Sequence, residues 1–289
     1  MAFASMPANA AIHRVDFDPV EEEVVGPPVA ITEGSGNWVW PEASPDGRWL
    51  AFHSGVAPQR EDIYVSAADG SGRRQLTDDA FADRLARWSP DGRRIAFYST
   101  RSGRWNIWVV DADGGGLRQV TAGSGPPVFF PVWSPDGGRL AGSDVTRSFI
   151  FDPAQPWNEK TLTALPPLEG RDGHFTPWSW SPDGSRLAGH VRGTGVWILS
   201  LKQGTYTRLT DFGSTPHRLS DGRRLLFAAD SRVLLVDSAS KRAKELLSFG
   251  SSRVQLAAGG GFSVSRDDRR IYVAPVVREG DIWMATFKR

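Results

Sequence analysis

Apolar residues in this chain come in short runs, separated at close intervals by Gly, Pro, Asp and Ser. The stretch from 87 to 121 shows the pattern most fully. Arg87-Trp88-Ser89 leads into Ser89-Pro90-Asp91-Gly92, a turn in which proline fixes φ, the aspartate accepts from the backbone and glycine takes a left-handed conformation. Then come Arg94-Ile95-Ala96-Phe97-Tyr98-Ser99, a polar loop through Arg101-Ser102-Gly103, Asn106-Ile107-Trp108-Val109-Val110, the turn Asp111 to Gly115, and Leu117-Arg118-Gln119-Val120-Thr121. Each run is rich in β-branched and aromatic residues, so the pattern predicts four antiparallel strands. No stretch sustains apolar residues at helical spacing between caps.

The unit repeats. Ser44-Pro45-Asp46-Gly47, Ser89-Pro90-Asp91-Gly92, Ser134-Pro135-Asp136-Gly137 and Ser181-Pro182-Asp183-Gly184 are followed by the degenerate Ser220-Asp221-Gly222 and Ser265-Arg266-Asp267-Asp268. The equivalent aspartates 46, 91, 136, 183, 221 and 267 lie 45, 45, 47, 38 and 46 residues apart. Six four-stranded units at this period predict an all-β fold, a six-bladed β-propeller of antiparallel blades. Trp88, Trp133 and Trp180 share one slot before the serine, taken by Ala43, Leu219 and Val264 in the other copies. These indoles are expected to fill the space between neighbouring blades. Ile63/Tyr64, Ile107/Trp108, Val196/Trp197 and Ile282/Trp283 read as third-strand core, and the repeated aspartates as turn formers rather than catalytic pairs.

The last copy supplies Phe262 to Ser265, Arg270 to Ala274 and Asp281 to Phe287, and then lacks a fourth strand. At the other end, Ala11 to Phe17 reads as a third strand and Pro28 to Thr32 as a fourth. An N-terminal strand on the last blade is therefore expected to close the ring and remove an exposed edge. The expectation is one domain over 1–289, with 1–34 closing the last blade and 35–289 holding the six repeats. One third-strand-like segment is left over. It is either an extra outer strand or the mark of a chain excised from a longer protein.

Composition adds exclusions. With 34 basic and 33 acidic side chains the formal charge is +1, so nucleic acid and anionic membrane surfaces are not expected partners. The absence of cysteine removes disulfides and thiolate chemistry and is compatible with either redox compartment. No run is long and apolar enough for a membrane span, and Met1 to Ala11 lacks the layout of an export signal. The 31 Gly, 20 Pro and 12 Trp fit a fold made of turns and flat core side chains.

Trp-Ser-Pro-Asp-Gly-Arg-Arg-Ile-Ala-Phe at 88–97, with Asn-Ile-Trp-Val-Val-Asp-Ala-Asp-Gly and Gln-Val-Thr after it, resembles the WD-repeat-like unit of the TolB propeller. The resemblance runs from about Ser35 to the C-terminus and is strongest in the first four copies. It implies first strands arranged around a central channel. It also implies a periplasmic or other extracytoplasmic location. Related repeats occur in the Tol-system translocation protein, in propellers of prolyl-oligopeptidase-type peptidases, in extracytoplasmic parts of bacterial Ser/Thr kinases and in oligogalacturonate lyases. The α/β domain that precedes the TolB propeller has no counterpart in this sequence.

Propeller ligands sit on loops at one channel face. Those loops carry Trp38, Trp40, Arg84, Arg87, Phe130, His174, Trp178, His217 and Arg218, the candidate ligand-binding residues. Rings that stack beside guanidinium groups that donate suit a peptide or a sugar. His53, His190, His174 and His217 map to the same face, and with Asp144 or Asp230 would offer metal ligands, but no pair has local ligand spacing. No metal or other cofactor is expected. There is no Gly-x-Ser-x-Gly elbow, phosphate-cradling Gly-rich loop or kinase motif set, and Gly34-Ser35-Gly36 and Gly114-Gly115-Gly116 precede no helix. Glu21-Glu22-Glu23 reads as a solvated linker. The expected function is non-enzymatic binding of a protein segment or peptide, by a monomer. The alternatives are a channel-sited, metal-dependent enzyme on an acidic oligosaccharide, or a sensor domain detached from a larger signalling protein.

Overall fold

The repeated turn is held by its own side chains. In a computed structural model, which describes residues 8–33, 36–55, 61–168, 173–249, 254–256 and 261–278, the serine hydroxyl donates to the aspartate at 2.6 Å (Ser44 to Asp46) and 2.5 Å (Ser89 to Asp91, Ser134 to Asp136, Ser181 to Asp183). The same oxygen accepts from the backbone five residues on, at 2.9 Å in all four copies. Gly47, Gly92, Gly137 and Gly184 each have φ of +69°, which only glycine adopts freely. The aspartates are thus committed to turns, as the repeat predicted.

These turns join the first two strands of each blade. Trp38–Ala43, Trp49–Ser54, Ile63–Ala67 and Arg74–Gln75 form the first sheet, and Asp83–Trp88, Arg94–Ser99, Asn106–Asp111 and Arg118–Gln119 the second. The third to fifth blades begin with Phe129–Trp133, Phe175–Trp180 and Ser214–Arg218 and keep the same meander. The sixth joins Phe262–Val264 and Arg270–Val273 to His13–Asp18 and Glu23–Ala30. Both outer strands of the last blade therefore come from the N-terminus, His13 opposite Val273 and Asp16 opposite Arg270. The fourth strand is longer than Pro28 to Thr32 and begins at Glu23. Asp281 to Phe287, with Ile282/Trp283, lies outside the described residues. No helix occurs among the described residues, so none is long and apolar enough to cross a membrane.

Packing lies between blades. Six buried clusters occupy the six interfaces, for example Ala51, Ile63 and Val65 of blade 1 against Trp88, Ile95 and Phe97 of blade 2. The slot indoles do what the sequence predicts and one thing more: Trp88, Trp133 and Trp180 donate Nε1–H to the carbonyls of Glu42, Arg87 and Val132 in the preceding blade, at 3.2, 3.1 and 3.2 Å. In blade 5 the alignment shifts. Leu219 N–H donates to Arg224 O as Ser44 N–H does to Trp49 O, so Leu219 stands in the serine place and Arg218 in the tryptophan slot. The sequence assigned Leu219 to that slot because Ser220 suggested the motif's serine. Ser220 instead reaches the next blade, donating from Oγ to Asp268 at 2.6 Å.

A small extra sheet completes the molecule. Pro275–Arg278 runs between Ala8–Ala10 and Val254–Leu256. It brings Ala10 and Val276 against Val39 and Trp40.

Candidate functional site

Counting six residues back from the turn aspartate reaches Trp40, Leu85, Phe130 and Thr215 in blades 1, 2, 3 and 5. All four are left-handed, with φ of +55°, +56°, +57° and +51°. Residues with side chains seldom enter that region, β-branched threonine least of all. The geometric cause is an extra residue in each inner strand: the register shifts between Val39 and Glu42, Arg84 and Arg87, Phe129 and Val132, and Ser214 and His217. Blade 4 has Pro177 in that place, and its ring forbids positive φ. Its bulge falls between Pro177 and Ser179, on Trp178. Bulges re-aim side chains, and here all five residues line one cavity of about 490 Å³.

Trp178 is its floor. Its ring centre lies 5.7 Å from Trp40, 5.9 Å from Phe130 and 5.9 Å from His190. The indole Nε1–H donates to His217 Nε2 at 3.1 Å. On the far side the Arg87 guanidinium stacks 4.7 Å from the ring centre and donates to Glu42 Oε2 at 2.8 Å. One side chain of blade 4 thus touches blades 1, 2, 3 and 5 and joins the aromatic cavity lining to the buried polar groups of Arg87 and His217. Burial, and next the Arg87 charge, hold the His217 imidazole well below its usual range, so it accepts as a neutral ring.

The walls carry little free charge. Arg84 donates from Nη2 to Glu61 Oε1 at 2.7 Å and from Nε to Oε2, and stacks 5.0 Å from Trp105. Burial pushes the Tyr98 phenol up to about 12. His53 and His190 are the next-to-last residues of equivalent second strands. Each accepts at Nδ1, 3.4 Å from the backbone N–H of Leu85 and of Thr215 respectively, one left-handed residue of the next blade. Burial, aided by Arg84, brings His53 down to about 3; burial, aided by His174, brings His190 to about 4.

A family model described as the TolB beta propeller domain matches residues 26–164. The chain is a TolB-like six-bladed β-propeller. It superposes on a TolB candidate from Agrobacterium tumefaciens with a TM-score of 0.72 at 19% identity, over 93% of this chain and 98% of that one. With TolB from Acinetobacter baumannii the TM-score is 0.60 at 17% identity, over 93% of this chain and 65% of that one. A puromycin-hydrolyzing peptidase of Mycobacterium tuberculosis gives 0.56 at 17%, over 83% of this chain and 43% of that one. No curated protein matches the sequence.

Within this TolB-like ring, Trp40, Arg84, Phe130 and Trp178 line the cavity, and Arg87 and His217 support its floor. Trp38 points the other way, into the blade 6–blade 1 core with Phe52, Tyr64 and Tyr272, under Arg73. His174 is half-buried beside His190 and Asp144, off the cavity lining. Arg218 is buried between blades 4 and 5 and donates to Gly222 O at 2.8 Å. The lining also includes Asn37, Leu85, Tyr98, Glu61 and Thr215, outside the candidate set. Counting back from the turn motif reaches Leu85 and Thr215, and the shared place of His53, Tyr98 and His190 was readable the same way.

The four histidines do not gather into a ligand set. Among the described residues only Asp62, Asp79 and Asp83 bring ligand atoms within 4.8 Å of one another. Arg101 pairs with both Asp79 and Asp83, so a protein cation already engages two of the three carboxylates.

Proposed function

We propose that this TolB-like propeller is a binding protein that seats a segment of a protein partner in the cavity at the channel mouth and performs no chemistry there. The carrying observation is that five blades each deliver one bulge residue to that cavity, four of them in strained left-handed backbone. Such strain, roughly 1–3 kcal/mol per residue, persists where the surroundings over-determine it and clusters at ligand sites. Aromatic anchors in a desolvated recess are the usual energetic centre of protein interfaces. Absence of catalysis is supported by the titrating groups: a general acid or base works best with a pKa near the operating pH. Here the cavity imidazoles are driven far down and the phenol up. The near-zero net charge argues against a polyanionic partner and fits a binding face of mixed aromatic and polar residues.

The test is selection of a random peptide library on the wild-type protein, with counter-selection on a folded Trp40→Ala/Phe130→Ala variant. Sequences enriched on the first and lost on the second are expected. No enrichment, or equal enrichment on both, would overturn the reading.

A further inference from the structure

The polar groups on the cavity wall are more selective than its rings. His53 on blade 1 and His190 on blade 4 line the same cavity from opposite blades of a ring whose blades contact in chain order. Each is neutral, and each uses Nδ1 to accept from the backbone of the following blade. The remaining proton therefore sits on Nε2 in both, and no hydrogen bond from either Nε2 is made within the described residues. The charged wall residues Arg84 and Glu61 are committed to each other. A ligand charge would meet no free counter-charge, and burying it unpaired is costly.

Shape narrows the occupant further. The rings around Trp178 are tilted against one another, by 49° for Trp40, 46° for Phe130 and 58° for His190, and Tyr98 stands 74° to Phe130. They form a cup, whereas a sugar ring calls for a flat face. A compact apolar side chain fills a cup.

We propose that the cavity takes one uncharged aliphatic or prolyl side chain of an extended partner segment, with main-chain carbonyls on either side of it accepting from Nε2–H of His53 and of His190. This rests on the reading of the mouth as a peptide seat. It adds that the two imidazoles read backbone, so recognition demands an extended, uncharged stretch. Extended segments present carbonyls on both sides of a side chain, and proline lowers the entropy lost on ordering.

The experiment titrates the whole protein with blocked pentapeptides Ac-Gly-Gly-X-Gly-Gly-NH2, X being Leu, Pro, Glu or Lys, and with maltohexaose, following amide shifts by NMR to millimolar concentration. Leu and Pro peptides are expected to bind at least tenfold more tightly than Glu, Lys or the sugar. His53→Asn and His190→Asn keep an acceptor near Nδ1 but lose the donor at Nε2, and each is expected to weaken the Leu peptide about 2- to 10-fold, the worth of one hydrogen bond. His53→Gln and His190→Gln restore a donor near Nε2 and are expected to restore affinity. Binding of charged peptides or sugar as tightly as Leu, or unchanged affinity in both Asn variants, would overturn this inference and leave the peptide seat standing. Silence of every peptide would overturn both.

Discussion

Arg218→Trp should make the protein more stable, although it replaces a buried polar residue with the bulkiest side chain. The slot holds tryptophan in blades 2, 3 and 4, each donating to the blade before. In two of those interfaces an arginine three residues after the turn aspartate covers the indole: Arg94 lies 4.9 Å from the Trp133 ring and Arg139 5.6 Å from that of Trp180. The equivalent arginine beside Arg218 is Arg186, and there the two cations repel. Burial first, then Arg186, lower Arg218 to about 10. Its Nε and Nη2 are buried without partners. A shift of that size corresponds to roughly 3 kcal/mol of disfavoured charge, and the substitution converts the like-charge contact into a cation–π contact worth about 0.5–1 kcal/mol. An indole donor to Ser179 O adds about 1 kcal/mol, and overpacking subtracts about 1–3 kcal/mol. Loss of the Arg218 bond to Gly222 O subtracts about 1 kcal/mol more, so the net expectation is a gain of about 0.5–3 kcal/mol, read as a higher urea midpoint by circular dichroism at unchanged m. Arg218→Met, apolar and without added bulk, separates charge from packing and should also gain. Loss of stability in both variants would refute the claim that a buried, under-bonded cation weakens this interface.

Trp178→Phe keeps a ring over Arg87 but removes the donor to His217, and should lose about 2–3 kcal/mol, much of it from the stranded acceptor; a double-mutant cycle with His217→Phe should give a coupling of about 1 kcal/mol, and additivity within about 0.3 kcal/mol would contradict the bond. His53, His190 and His217 all have folded pKa values below the unfolded value near 6.5. The unfolded chain alone takes up their protons below that pH, so stability should hold above pH 6.5 and fall as pH drops, by roughly 2 kcal/mol per imidazole at pH 5. Urea midpoints measured from pH 8 to 5 check this, and His190→Gln should remove about one proton's worth of slope; a flat profile would contradict the buried neutral rings. Lys241 is exposed with φ of +58° in the turn before Ala243–Ser248, so Lys241→Gly should stabilise by up to about 1 kcal/mol, and destabilisation would show that its side chain matters more than its backbone.

What could be read from the sequence was what is held locally. The Ser-Pro-Asp-Gly turn closes through bonds spanning at most five residues, so its spacing carried the blade count. Trp88, Trp133 and Trp180 were legible because an unpaired sheet face demands large side chains at a fixed offset. Trp38 and Trp40 illustrate the limit. They stand two apart on one strand and would share a face in a regular ladder, but the bulge at Trp40 sends one to the core and the other to the cavity. Nothing in the side chains of Trp40, Leu85 or Phe130 announces a left-handed backbone, for which glycine is the ordinary signal. Arg218 was misplaced for a different reason: with proline gone, Ser220 imitated the motif's serine one position late.

The two repeated positions behave oppositely, and that difference separates scaffold from site. The slot before the turn holds the same indole in three consecutive blades with the same bond to the neighbouring carbonyl. The left-handed position keeps its backbone conformation in four blades while its side chain changes from Trp to Leu, Phe and Thr. A place conserved in geometry but free in chemistry within one chain is what a ring needs to vary its mouth without altering its blades. Blade 4 departs from this rule through Pro177, which cannot take the left-handed form, and the departure puts Trp178 across the channel. At the place of Trp178, blades 1, 2, 3 and 5 carry Pro41, Ala86, Pro131 and Pro216, too small or too rigid to reach so far, and blade 6 carries Phe262, which is buried in the core between blades 5 and 6. The single proline that breaks the backbone pattern is therefore what turns an open ring into a floored cavity.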